Sequence, residues 1–276
     1  MARNLLAAGY EVTAFDVDAT AVSDVVEAGA RDGGSVAGVA EAADVVMTSL
    51  PDSDVVEDVY FGDDGLLASV SDGSMLVEMS TVLPETVETI EAAVDSRDVA
   101  VVDCPVIGTP PEAAAATLTI VVGCDDGAFE RVEPLLSHLG DRVEHVGAPG
   151  EAKRIKLANN VMTYGNFAIA AEMIALVDRL GIDPERFFEI TDSGAAGSAI
   201  ARSKVPKALA GDTEPGFTVD GARKDLRYGL QMKEAVDYSA PIAAAVAEQY
   251  ALAASVDEKE SDYSVLVDVF RRIGEE

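Results

Sequence analysis

Residues 151–180 contain no proline and one glycine, Gly165, and this uninterrupted run constrains what the rest of the chain can fold into. The simplest reading is a single helix. At 1.5 Å per residue it reaches about 45 Å, enough to leave one domain and form the backbone of another. Gly147-Ala148-Pro149-Gly150 breaks the chain just ahead of it, and Gly181 is suited to end it. Asp183-Pro184-Glu185 then signals a new helix, with a capping side chain and a proline whose missing N–H costs nothing. The remainder reads as helix, with a loop near 211–216. A chain of 276 residues is also at the length where single cores give way to two domains. We therefore expect one domain over 1–148 and an all-α domain over 149–276.

Ahead of the break the pattern is different. Short apolar runs at 11–15, 44–48, 75–78, 99–104, 118–122 and 143–146 read as strands. Stretches such as 84–94 and 127–136, apolar at spacings of three and four with acids at their starts, read as the helices between them. Alternating β and α units predict a parallel, doubly wound α/β sheet of the Rossmann-like kind. Residues 1–8 look like the end of a helix closed by Gly9, so the chain opens in mid-element with no strand ahead of it.

Charge narrows the function. The chain has 50 acidic and 20 basic residues, a formal net charge of -30, which repels nucleic-acid backbones and acidic membrane surfaces. At molar salt the Debye length falls to about 3 Å and such self-repulsion is relieved. With only seven lysines, the composition reads as salt (halophilic) adaptation. No apolar run approaches the roughly 20 residues of a membrane span, and no export signal opens the chain, so a cytoplasmic place is expected. Cys104 and Cys124 lack metal or CxxC spacing and read as small buried hydrophobes. His138 and His145 have no acid or cysteine at ligand spacing, so no metal site is expected.

Asp16 follows the apolar run ending in Phe15, where a dinucleotide-binding fold places an acid on the adenosine ribose hydroxyls. It would repel a 2′-phosphate, and Val17 supplies no positive charge, so NAD is preferred, with NADP as the alternative. On its own an aspartate there is ordinarily a turn former. The G-x-G-x-x-G loop that holds the pyrophosphate normally precedes such an acid by about 20 residues. Here that places it upstream of Met1, and a start assigned too late is the favoured reading. No lysine occurs before Lys153, so any ammonium chemistry falls to the later half. Lys156 and Asn160 are four apart and project from one helix face. A partly desolvated lysine passes protons readily, although an isolated Lys/Asn pair is ordinarily solvated.

The surrounding residues decide between these readings. Gly147-Ala-Pro-Gly-Glu-Ala-Lys-Arg-Ile-Lys156-Leu-Ala-Asn159-Asn160 resembles the G-x-x-G-x-x-x-x-x-K-x-x-N-N signature of the β-hydroxyacid dehydrogenases, the 3-hydroxyisobutyrate and 6-phosphogluconate dehydrogenase-like family. The resemblance covers nearly the whole chain in the family's order. Met1-Ala-Arg-Asn-Leu-Leu-Ala-Ala-Gly9 is similar to the helix just after the family's glycine loop. Leu50-Pro51 matches the Leu-Pro that borders the cofactor, and Met79-Ser80-Thr81 matches the Ser-Thr turn near the nicotinamide ribose. Lys224-Asp225-Leu226 looks like the Lys-Asp-Leu whose lysine reaches toward cofactor and substrate.

The resemblance implies reversible hydride transfer between NAD(P) and a small hydroxyacid in a cleft between the domains. Lys156 would move the proton and Asn160 orient the substrate, with Asp16, Leu50, Pro51, Thr81 and Lys224 along the cofactor. Gly108, Thr109, Asn160 and Lys224 would lie near the substrate, and a homodimer or homotetramer is implied. One departure bears on substrate choice: Asp103-Cys-Pro-Val-Ile107-Gly108-Thr109 stands where the family has Asp-Ala-Pro-Val-Ser-Gly-Gly. The serine hydroxyl that meets the substrate carboxylate is gone, and Thr109 is the neighbour able to restore one. A semialdehyde or glyoxylate reductase uses the same residues in the other direction. Imine-reducing relatives generally lack the lysine, and 6-phosphogluconate dehydrogenase itself has a much larger helical domain. An alternative of another class is a non-catalytic binding or dimerisation module that has lost the glycine loop.

Overall fold

The structure, a computed structural model, describes residues 1–273. It divides into two compact units, Met1–Lys156 and Leu157–Glu276, and the division falls inside the long helix Glu151–Arg179.

The first unit contains strands β1 (Thr13–Ala14), β2 (Arg31–Asp32), β3 (Val45–Thr48), β4 (Met75–Glu78), β5 (Ala100–Asp103), β6 (Val106–Ile107), β7 (Leu118–Gly123) and β8 (Gly140–Gly147). They form two sheets: β1 pairs with β2 in parallel, and the other six follow the order β3-β4-β5-β7-β6 with β8 on β7. All four residues of β4 are buried, and its side chains alternate between two cores. Met75 and Val77 pack with Val102, Ile120 and Leu136 in one, while Leu76 packs with Val46, Val56 and Ile90 in the other. A strand covered on both faces reads as a continuous apolar run, which is why β4 was legible.

Two strands carried no such signal. The Arg31–Asp32 pair is charged and exposed, and β6 is two residues long. The expectation of parallel pairing also fails at one place: β7 runs antiparallel to both β5 and β6. Parallel neighbours need a crossover of about a dozen residues or more. Between β6 and β7 lies only the short helix Pro110–Ala115, so the chain turns back directly.

The helix Pro84–Val94 starts with proline in its first turn, where no N–H is missed, and buries Val87, Ile90 and Val94. Gly9 has φ +91° just after the first helix, the conformation its sequence position suggested. Both cysteines are free and buried, and burial pushes the Cys124 thiol up to about 12. They are inert side chains of the core. His145 stacks on Phe129 and lies 2.8 Å from the carbonyl of Cys124, a packing role.

The described part of the second unit is all helical. Phe167, Leu226, Tyr250 and Leu266 are fully buried in one core, and Tyr164, Tyr250 and Tyr263 meet edge to face or tilted within it. Asp262 ties the 211–218 loop to this core by accepting from the backbone N–H groups of Gly216, Phe217 and Ser264 and from Lys204 at 2.6 Å. Burial alone would raise this carboxyl, but the hydrogen bonds from Lys204 and Ser264 outweigh it and hold it below its usual value.

By length and mean hydropathy, 1.2, the long helix passes for a membrane span, contrary to the expectation that no stretch would. Its alanines and phenylalanine serve another purpose: Phe167, Ala168, Ala171 and Ile174 are buried in the helical core. On a different face Met162, Ile169 and Leu176, spaced by sevens, are 68%, 55% and 47% exposed.

Candidate active site

In open α/β sheets ligands sit beyond the carboxyl ends of the strands, and here those ends carry three polar residues in register. Thr48, Glu78 and Asp103 close β3, β4 and β5 and lie side by side across the ladder. All three are buried, so each needs partners. The Glu78 carboxylate accepts from the Thr48 hydroxyl and from the backbone N–H of Ser80, both at 2.5 Å. Thr48 also shares a 2.9 Å hydrogen bond with the Tyr60 hydroxyl. The Ser80 hydroxyl in turn accepts from the Leu50 N–H at 2.7 Å. The loops that carry Leu50-Pro51 and Ser80-Thr81 are therefore stitched together, which brings three of the expected cofactor residues into one region.

Asp103 serves the start of the long helix. Its Oδ2 accepts from the N–H groups of Gly150 at 2.9 Å and Lys153 at 3.1 Å, satisfying donors that a helix start otherwise leaves unpaired. The Lys153 ammonium is fully buried. It donates to the Glu78 carbonyl at 2.8 Å and lies 3.0 Å from Asp103 Oδ1, an ion pair whose geometry is not that of a hydrogen bond. Three residues on, Lys156 is half-buried.

Asp16 is exposed, and its Oδ1 accepts from the Asp18 N–H at 2.8 Å. It borders a hollow of about 400 Å³ lined by Phe15, Val17, Val22, Val26 and Asp32. Largely apolar walls with two carboxylates, Asp16 and Asp32, suit a flat aromatic group joined to a hydroxylated sugar.

Beyond β6, Gly108 has φ +148°, and a Cβ there would come within 2.6 Å of Leu118 Cδ2, so only glycine suits the turn. Thr109 gives both its N–H and its hydroxyl proton to Glu112, at 2.8 and 2.7 Å. Its hydroxyl is thus engaged locally, on Glu112.

In the second unit Asn160 is buried, and its Nδ2 donates to Asp225 Oδ2 at 2.8 Å. Tyr164, one turn further along the helix, donates to the same oxygen at 2.8 Å. Burial, and then the Asp225 charge, push the Tyr164 hydroxyl well above its ordinary value, so it stays a fixed donor. Lys224 Nζ lies 3.3 Å from Asp225 Oδ1. Asp225 is therefore the hub that fixes Asn160 beside Lys224. Its role was not read from the sequence, although it sits inside the Lys-Asp-Leu motif, and Tyr164 follows Asn160 at helical spacing. Among the described residues no group of three acids, histidines or cysteines could hold a metal ion.

The chain is also similar, over nearly all its length, to known proteins. Residues 1–147 match the family model described as the NAD binding domain of 6-phosphogluconate dehydrogenase, and residues 150–270 that of the NAD-binding region of NADP-dependent 3-hydroxyisobutyrate dehydrogenase. The chain is 31% identical to the 3-sulfolactaldehyde reductase of Escherichia coli K12, over 98% of this chain and 91% of that protein. It is 33% identical to the 3-hydroxyisobutyrate dehydrogenase of Pseudomonas aeruginosa, over 98% of this chain and 94% of that one. Among solved structures, the 3-hydroxyisobutyrate dehydrogenase of Mycobacterium tuberculosis with L-serine is 27% identical, with a TM-score of 0.87 over 98% and 94% of the two chains.

Proposed function

This chain belongs to the β-hydroxyacid dehydrogenase family of NAD(P)-dependent oxidoreductases, and on that premise we propose that it acts on a small β-hydroxyacid such as 3-hydroxyisobutyrate, with Lys156 moving the proton. When bound, the nicotinamide supplies the hydride acceptor or donor. Lys156 takes the hydroxyl proton in the oxidation direction and returns it to the substrate oxygen in reduction. Asn160 orients the substrate, and Gly108, Thr109 and Lys224 border it. Asp16, Leu50, Pro51, Thr81 and Lys224 hold the cofactor.

The observation that carries this reading is the fixing of Asn160. Its amide is held by Asp225, next to Lys224, on the same helix as Lys156 and one turn beyond it. The exposed carboxylate of Asp16 at an apolar hollow supports NAD over NADP, because a 2′-phosphate would meet a like charge.

A second reading is the same chemistry run as reduction of a semialdehyde, which keeps the hydroxyacid's carboxylate, so Ile107 and the Thr109 hydroxyl held on Glu112 bear on both directions alike. Steady-state rates on a panel of β-hydroxyacids and semialdehydes, with NAD(H) and NADP(H) in parallel, test both readings. We expect the highest kcat/KM with NAD(H). A chain inactive on the whole panel would sink the assignment, and a preference for NADP would sink the role given to Asp16.

Two further parts of the reading concern setting. The net charge of -30 points to a salt-rich cytoplasm, so the melting temperature should climb steeply from 0.1 M to 2 M KCl as the Debye length shrinks from about 10 Å to below about 3 Å. A melting temperature indifferent to KCl would remove salt adaptation. The exposed Met162, Ile169 and Leu176 stripe supports a homodimer or larger homo-oligomer, which sedimentation in the same KCl would reveal; a monomer would remove that part.

A further inference from the structure

We infer that Lys153 is a positioning residue for the reaction, a role that rests on Lys156 moving the proton. A lysine side chain with no exposure is rare and costly, because its charge has left water. A methionine would fill the same volume at lower cost if stability were all that mattered.

What the ammonium does here is join three elements at one point. It meets the main-chain carbonyl of Glu78 at the end of β4 and the carboxylate of Asp103 at the end of β5. Its own N–H is already on Asp103, beside that of Gly150. The first turn of the long helix is thus pinned in rotation and in height against two strand ends. The Glu78 side chain carries the restraint onward by holding the Ser80 N–H, and Ser80 holds Leu50. One buried cation therefore couples the helix turn that leads into Lys156 to the Ser80-Thr81 and Leu50-Pro51 loops assigned to the cofactor.

Lys156 follows Lys153 by three residues, less than one turn, so slack at Lys153 passes directly to it. A misplacement of about 1 Å in a reacting group can cost about 100-fold in rate.

The competing account is a purely structural ion pair, and two variants separate them. Lys153→Met leaves the buried carboxylate of Asp103 without its cation, and its melting temperature should fall by roughly 10 °C. Adding Asp103→Asn removes that charge while keeping an oxygen for the backbone N–H groups of Gly150 and of position 153. The double variant should melt within a few degrees of the wild type. If Lys153 positions the site, the double variant still shows kcat lowered about tenfold or more, with KM for the hydroxyacid within about threefold. It should also show faster amide hydrogen exchange over 78–81 and 150–156. Rates are compared below the lowest melting transition of the three proteins, so loss of fold does not enter. A double variant with kcat within twofold of the wild type and unchanged exchange overturns the inference. If the wild type proves inactive, the assigned reaction fails, and the exchange rates alone still decide whether Lys153 orders these segments.

Discussion

Replacing Lys156 with alanine should leave the fold intact and lower kcat by about 100-fold or more, the usual contribution of a positioned acid or base. The fold should survive for three reasons. The side chain is only half-buried, alanine is the strongest helix former, and the site lies inside a 29-residue helix. The rate should fall because hydride cannot leave a carbinol carbon readily while its hydroxyl keeps the proton. Two measurements sharpen the test. Circular dichroism melts should match the wild type within a few degrees, and a small primary amine added to the assay should restore part of the lost rate. If the variant keeps more than about a tenth of wild-type turnover, Lys156 is not the proton-moving group.

The second large effect is expected at Asp225. Its Oδ2 receives both Asn160 and Tyr164, and its Oδ1 faces Lys224. Asp225→Ala strands two buried donors and removes the carboxylate that faces Lys224. Each orphaned donor costs about 1–3 kcal/mol, so the variant should lose roughly 3 kcal/mol of stability and melt roughly 10 °C lower. Catalysis should suffer beyond that, because Asn160 loses the contact that aims its amide: kcat/KM should fall about tenfold or more, even well below the melting transition. Asp225→Asn keeps the shape and one acceptor, and should retain more stability than the alanine variant. A normal melt and normal kcat/KM for Asp225→Ala would show that Asn160 is held by something else.

Much of this architecture is written in local patterns. Proline at the head of Pro84–Val94 and apolar spacing along it define that helix completely, and the glycine and proline breaks around the long helix define its ends. Lys156 and Asn160 stood out as candidates because helical spacing puts them on one face and a motif surrounds them. The Thr48, Glu78, Asp103 and Lys153 cluster was not legible. Its members are brought together by strand register, Thr48 beside Glu78 beside Asp103, and register is a property of pairs far apart in sequence. Lysine 153 looks like any charged residue at a helix start until its complete burial is known. The antiparallel β7 was hidden for a related reason: strand direction depends on how the connecting segment packs, and the apolar run in 118–122 is the same either way.

The glycine turn after β6 limits how its own segment can change. At position 108 the left-handed backbone and the nearness of Leu118 make any side chain strained, and at 109 the hydroxyl and the amide both meet Glu112. Residue 107, where isoleucine now stands, is the neighbouring position whose side chain can vary without disturbing either arrangement. If this turn borders the substrate as proposed, variants there alter its chemistry while the main-chain path stays as it is.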